Sequence, residues 1–107
     1  MKIVVAFSFI FMIATAVDAQ DAGVVLKMGR LSQVGSHSIQ VVAVENHTSN
    51  LLQTVEVDCG FYQGDQLIAS GYSYLDKIRA GDTGFKNVNG NTETGATFAK
   101  CRIVETR

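Results

Sequence analysis

The chain predicts a small all-β domain, an antiparallel β-sandwich of six to seven short strands, with a small closed β-barrel as the structural alternative. Three observations carry this. Residues 51–62 alternate strictly: Val55, Val57, Cys59 and Phe61 on one parity, Thr54, Glu56, Asp58 and Gly60 on the other. β-Branched clusters recur between short stretches rich in glycine and asparagine, in a chain with ten glycines and no proline. Beyond the first nineteen residues, no stretch sustains apolar spacing at i, i+3, i+4 and i+7 over helical length.

Taken in order, residues 1–19 read as a secretory signal peptide. Lys2 supplies a positive start, residues 3–13 form an apolar run broken only by Ser8, and Val17-Asp18-Ala19 resembles a cleavage site before Gln20. A membrane span needs roughly 20 apolar residues to cross about 30 Å. This run is shorter and is closed by Asp18, so stable membrane insertion is not expected once the leader is removed. Residues 20–107 then form a single domain, exported to the periplasm or the extracellular medium.

Within that domain, residues 23–28 open the sheet with Val24, Val25 and Leu26, and the polar residues 29–36 read as a connection. Residues 38–45 are a strand through Ile39, Val41, Val42 and Val44; residues 46–50 are a turn. Residues 51–62 are the clearest strand, and Gln63-Gly64-Asp65-Gln66 turns the chain into a returning partner that begins at residues 67–69. Residues 72–78 continue either as strand or as an extended crossing. Arg79-Ala80-Gly81-Asp82 is a turn, residues 83–88 a short strand, Asn89-Gly90-Asn91 a further turn, and residues 97–104 the last strand. Lys86, Lys100 and Arg102 are placed to blunt sheet edges in the absence of proline.

Cys59 and Cys101 both fall on the apolar parity of their strands. In an oxidising compartment they are expected to form one disulfide, either between adjacent strands or across two sheets, adding about 4 kcal/mol by loop closure in a domain close to the lower size limit for a self-sufficient core. Two separate buried thiols are the other possibility. An antibody-type domain is disfavoured because the chain has no tryptophan to pack on the bridge.

Val44-Glu45-Asn46, Val55, Val57, Phe61-Tyr62, Gly64, Leu67-Ile68, Leu75, Ile78, Ala80-Gly81 and Phe85 together resemble the FxLYD domain over residues 39–88. The segment Cys59-Gly60-Phe61-Tyr62-Gln63 stands where the naming motif falls; it keeps the tyrosine, but replaces the first phenylalanine, the leucine and the aspartate. Ala80 stands where that family usually has proline. The resemblance implies a β-sandwich in exported or membrane-attached bacterial proteins, and supplies no catalytic residue.

The residues that could carry chemistry are few. A net charge of −1 removes the basic footprint of a nucleic-acid binder. His37 and His47 are the only histidines, both in polar surroundings and without a nucleophile motif, so no catalytic residue is assigned and no enzyme is expected. Their spacing, and the scatter of Asp76 and Asp82, suit neither zinc nor calcium; no metal or other cofactor is expected. Gly81-Asp82-Thr83-Gly84 lacks the lysine and helix of a phosphate loop. Asn46-His47-Thr48 satisfies the N-glycosylation pattern, which turn asparagines also meet by chance.

The candidate interaction surface is Ser70, Tyr72 and Tyr74 in the string Ser70-Gly71-Tyr72-Ser73-Tyr74, since i and i+2 share one face of a strand. The expected function is a protein-binding module in the cell envelope. It would meet another envelope or secreted protein through a sheet edge or this tyrosine strip. The alternative is a secreted inhibitor of a cell-wall hydrolase such as lysozyme, which plugs a cleft with residues 70–74 as a loop; the same string resembles the inhibitory loop of small periplasmic lysozyme inhibitors. A hydrolase using His37 or His47 is a third class.

Overall fold

The computed structural model describes residues 23–107; the expected leader, residues 1–19, lies outside the described residues. Six strands follow in order: β1 (Val24–Val34), β2 (His37–Asn46), β3 (Leu52–Gln63), β4 (Gln66–Ile78), β5 (Thr83–Asn91) and β6 (Phe98–Thr106). They form two three-stranded antiparallel sheets, β1-β2-β5 and β4-β3-β6. The molecule is therefore the β-sandwich rather than the closed barrel.

One tight hairpin starts each sheet. β1 turns into β2 through Gly35-Ser36, and β3 into β4 through Gly64-Asp65, with Val34 facing His37 and Gln63 facing Gln66. Both loops place a glycine first, at φ 60° and 61°, a conformation that side-chain-bearing residues resist and that matches the twist of the flanking strands. The remaining connections cross between the sheets, so the chain closes the sandwich by alternation.

The inner faces follow the period of two. Val55, Val57, Cys59 and Phe61 of β3 are buried, together with Val42 and Val44 of β2, Leu75 and Ile78 of β4, Val88 of β5 and Ile103 of β6. The bridge joins Cys59 to Cys101, 42 residues apart, between directly opposed residues of the adjacent strands β3 and β6.

Two sequence expectations change, and one left open is decided. Residues 29–34 are not a connection: β1 continues through them to Val34, absorbing a bulge between Met28 and Leu31. The buried Gln40 makes this possible, since its Nε2 donates to the Gly29 carbonyl at 2.9 Å and to that of Val41 at 2.9 Å. Asn89-Gly90-Asn91 is not a turn: it is the end of β5, paired with residues 37–39. Gly90 is there because the Phe61 ring occupies the space of a side chain, 2.4 Å from where a Cβ would stand. The choice left open for residues 72–78 falls to strand: residues 66–78 form one strand without a break at Ser70-Gly71. Gly71 lets β4 touch the other sheet; a Cβ there would lie 2.0 Å from the Asn89 carbonyl oxygen. Ser73 Oγ donates to the Asn87 carbonyl at 2.9 Å beside it.

That contact covers the outer edge of β4 with β5. Lys86 lies on β5, the last strand of its sheet, and Lys100 and Arg102 on β6, the last strand of the other.

Candidate functional site

β4 carries Ser70, Tyr72 and Tyr74 on its outward face, away from the core that Leu75 and Ile78 enter. Tyr72 is 63% exposed and Tyr74 43%, so neither ring caps the core. They meet edge to face, with centroids 5.8 Å apart and planes at 81°, the arrangement that the ring quadrupoles favour. Residues 70–74 lie inside a strand paired along its length with β3, and not in a loop.

Register then decides the neighbours. Tyr72 faces Asp58, which in turn faces Arg102; Tyr74 faces Glu56, which faces Glu105; Ser70 faces Gly60, which faces Lys100. Three strands thus lay down rows of side chains across one face. A depression of about 440 Å³ opens beside it, lined by Asp58, Cys59, Ser70, Gly71, Tyr72 and Asn89.

The charges on this face are poorly matched. Glu105 takes the Arg107 guanidinium at 3.0 Å, which holds its carboxyl below the usual range. Among the described residues, no basic group lies within ion-pair distance of Glu56 or Asp58. Asp58 Oδ1 is buried and accepts no hydrogen bond. Glu56 is held above the ordinary carboxylate range, first by burial and then by the Asp58 carboxyl beside it. The Glu56 charge in turn raises the Tyr74 phenol.

A second aromatic pair, absent from the sequence expectations, ends the same face. Tyr62 and Phe98 stack with planes at 2° and centroids 4.9 Å apart, and the Lys100 ammonium sits 5.3 Å from the Tyr62 ring and 5.9 Å from that of Phe98. The signal for it was the disulfide. Once Cys59 opposes Cys101, the residue three after the first must oppose the residue three before the second.

The other candidates are dispersed. His37 begins β2 and is exposed; His47 follows its end and contacts Glu45 at 2.9 Å. A ten-residue strand separates them, about 30 Å at the usual rise. Among the described residues no cluster of three histidine, cysteine or acidic side chains could hold a metal. Asn46 is fully buried: its Nδ2 donates to the carbonyls of Asn50 at 2.8 Å and Ile78 at 2.9 Å, while its Oδ1 accepts from Thr48 N and Oγ1. The amide that glycosylation would need is committed to the fold.

Comparison with known proteins finds no matching family model, no similar curated protein and no similar solved structure.

Proposed function

We propose that this protein is an exported protein-binding module rather than an enzyme, and that it engages another envelope or secreted protein through the outer face of the β4-β3-β6 sheet. The observation that carries the reading is the exposed edge-to-face pair of Tyr72 and Tyr74 on a strand paired along its length. Large rings held in one geometry bury area at small entropic cost when a partner arrives, which is why tyrosine is enriched in interfaces. The FxLYD resemblance points to the same class of exported β-sandwich.

The face is favoured over an edge. β4 is covered by β5 at Gly71, β1 is bent by its bulge, and β6 presents Lys100 and Arg102. A cleft-plugging inhibitor calls for a projecting loop, and residues 70–74 offer none.

The test is recovery of partners from an envelope extract by wild-type protein and by a Tyr72→Ala/Tyr74→Ala variant. Loss of a specific partner with the variant, at unchanged thermal stability, is expected. Equal recovery by both proteins refutes the reading.

A further inference from the structure

We propose that the partner presents a cation to this face, a lysine or arginine side chain that seats against the Tyr72 and Tyr74 rings and the Glu56 and Asp58 carboxyls. The inference rests on the reading of the face as a binding surface, and adds the chemistry of what is bound.

Charge complementarity carries it. Glu56 and Asp58 project from the same side of β3, two residues apart, with Tyr74 and Tyr72 directly opposite them on β4. The two carboxyls crowd each other without a basic group within ion-pair distance among the described residues. Three bases share this face: Arg107 pairs with Glu105 and reaches Glu56 only through its longer-range charge, Lys100 lies over Tyr62 and Phe98, and Arg102, opposite Asp58 in register, stands outside ion-pair distance of it. The burial of one of the carboxyl oxygens points the same way. Asp58 Oδ1 has neither a hydrogen-bond donor nor appreciable contact with solvent, although the residue as a whole is half-buried. A carboxylate oxygen that has lost its water and found no donor costs free energy. A cation against the accessible remainder of that group offsets the cost. The tyrosines add the second half of the recognition, since their electron-rich faces attract an ammonium or guanidinium. A neutral partner would leave the same carboxyls without a direct ion pair, and an acidic one would add repulsion.

The probe is a trilysine amide peptide, titrated into isotope-labelled protein and followed by backbone amide shifts, beside the same peptide with its side-chain amines acetylated. Shifts confined to β3 and β4 around residues 56–58 and 72–74 are expected from the first peptide only. A Glu56→Gln/Asp58→Asn variant, which keeps shape while removing charge, should bind it about tenfold or more weakly. Equal binding of the acetylated peptide, shifts elsewhere on the molecule, or an unchanged affinity in that variant each overturns the proposal. The two readings fail separately. If extract partners still depend on Tyr72 and Tyr74 but trilysine does not bind, the cation falls and the module stands. If trilysine binds here and extract recovery ignores the tyrosines, the cation site stands and the module falls.

Discussion

The two sheets present different outer faces and are held by different forces. The outer face of β1-β2-β5 is aliphatic and amide-bearing, through Ile39, Val41 and Ala43 of β2 and Asn87, Asn89 and Asn91 of β5, with one prominent ring, Phe85, at 71% exposure. Its carboxylate, Glu45, is satisfied by His47 at 2.9 Å and Lys27 at 3.3 Å. The outer face of β4-β3-β6 carries every tyrosine of the chain and two carboxyls with no ion pair. Inside, the contrast reverses. The first sheet contributes the buried polar groups Ser38, Gln40 and Asn46; the second contributes Phe61, most of the aliphatic core and the disulfide. A sheet anchored by apolar packing and a covalent bond can carry electrostatic mismatch on its exterior, and mismatch left in place is where a ligand gains most.

The largest effects should come from breaking the apolar inner face. Phe61 is fully buried with its ring over Gly90, so Phe61→Ala should cost about 3–5 kcal/mol in denaturant unfolding. Gly90→Ala should cost about 1–3 kcal/mol by overpacking against that ring. The two are in contact, so their costs should not add: in a Phe61→Ala background Gly90→Ala should be nearly free. Additive costs would mean that the ring is not what keeps residue 90 a glycine.

Next comes the covalent link. Replacing Cys59 and Cys101 together by alanine should lower stability by about 4 kcal/mol on the loop-closure argument. It should also loosen the Tyr62–Phe98 stack, three residues along the same register, more than anything on the β1-β2-β5 face. Amide exchange rates on the two sheets distinguish this from a uniform loss of stability.

A polar substitution tests the opposite sheet. Asn46→Ala removes partners from two carbonyls and from the Thr48 amide and hydroxyl at once, and should cost about 2–3 kcal/mol. Ser38, Thr92 and Gln33 form a similar closed network at the other end of β2, where Gln33 Nε2 donates to the Thr92 carbonyl at 2.8 Å and Gln33 Oε1 accepts from Ser38 Oγ at 2.7 Å. If Asn46→Ala costs little, the first sheet does not depend on its buried hydrogen bonds and the contrast between the sheets fails.

The same contrast explains what could be read before the structure. The β3 face was legible because alternation of valine, cysteine and phenylalanine against threonine, glutamate and aspartate has one physical reading, and a Cys59–Cys101 bridge was expected because each cysteine falls on the apolar parity of its own strand, whereas its place between adjacent strands came only with the register. The polar ends of β1 and β5 were not. Gly29-Arg30 and Asn89-Gly90-Asn91 have turn composition, yet here they serve a bulge stitched by Gln40 and a ring seated on a glycine. Composition shows that a glycine is present; whether it supplies a turn, as at Gly64, or room for a neighbour, as at Gly71 and Gly90, depends on packing from a strand distant in sequence. The site was legible only in its β4 half for the same reason. Tyr72 and Tyr74 announce themselves at i and i+2, whereas Glu56, Asp58, Tyr62 and Phe98 join them only through register.

The smallest effect bears on that exterior and has a definite sign. The Glu56 carboxyl is held above its ordinary range, so its protonated form is favoured in the fold. The stability it contributes is present below the unfolded-state pKa, and is lost as pH rises through the higher folded value. Glu56→Gln is neutral throughout and escapes that loss. The variant should therefore be slightly more stable than wild type at pH 7, with the gap closing as pH falls below about 4, the ordinary carboxyl range. Glu45 and Glu105, whose carboxyls are held low by His47 and by Arg107, lose stability on acidification in both proteins, so they cancel in the difference. Denaturation midpoints of the pair at pH 7, 5 and 3.5 measure it. A variant less stable than wild type at pH 7 would mean that the Glu56 charge already has its counter-ion within the fold, and the outer face of β4-β3-β6 would then be as self-satisfied as that of β1-β2-β5.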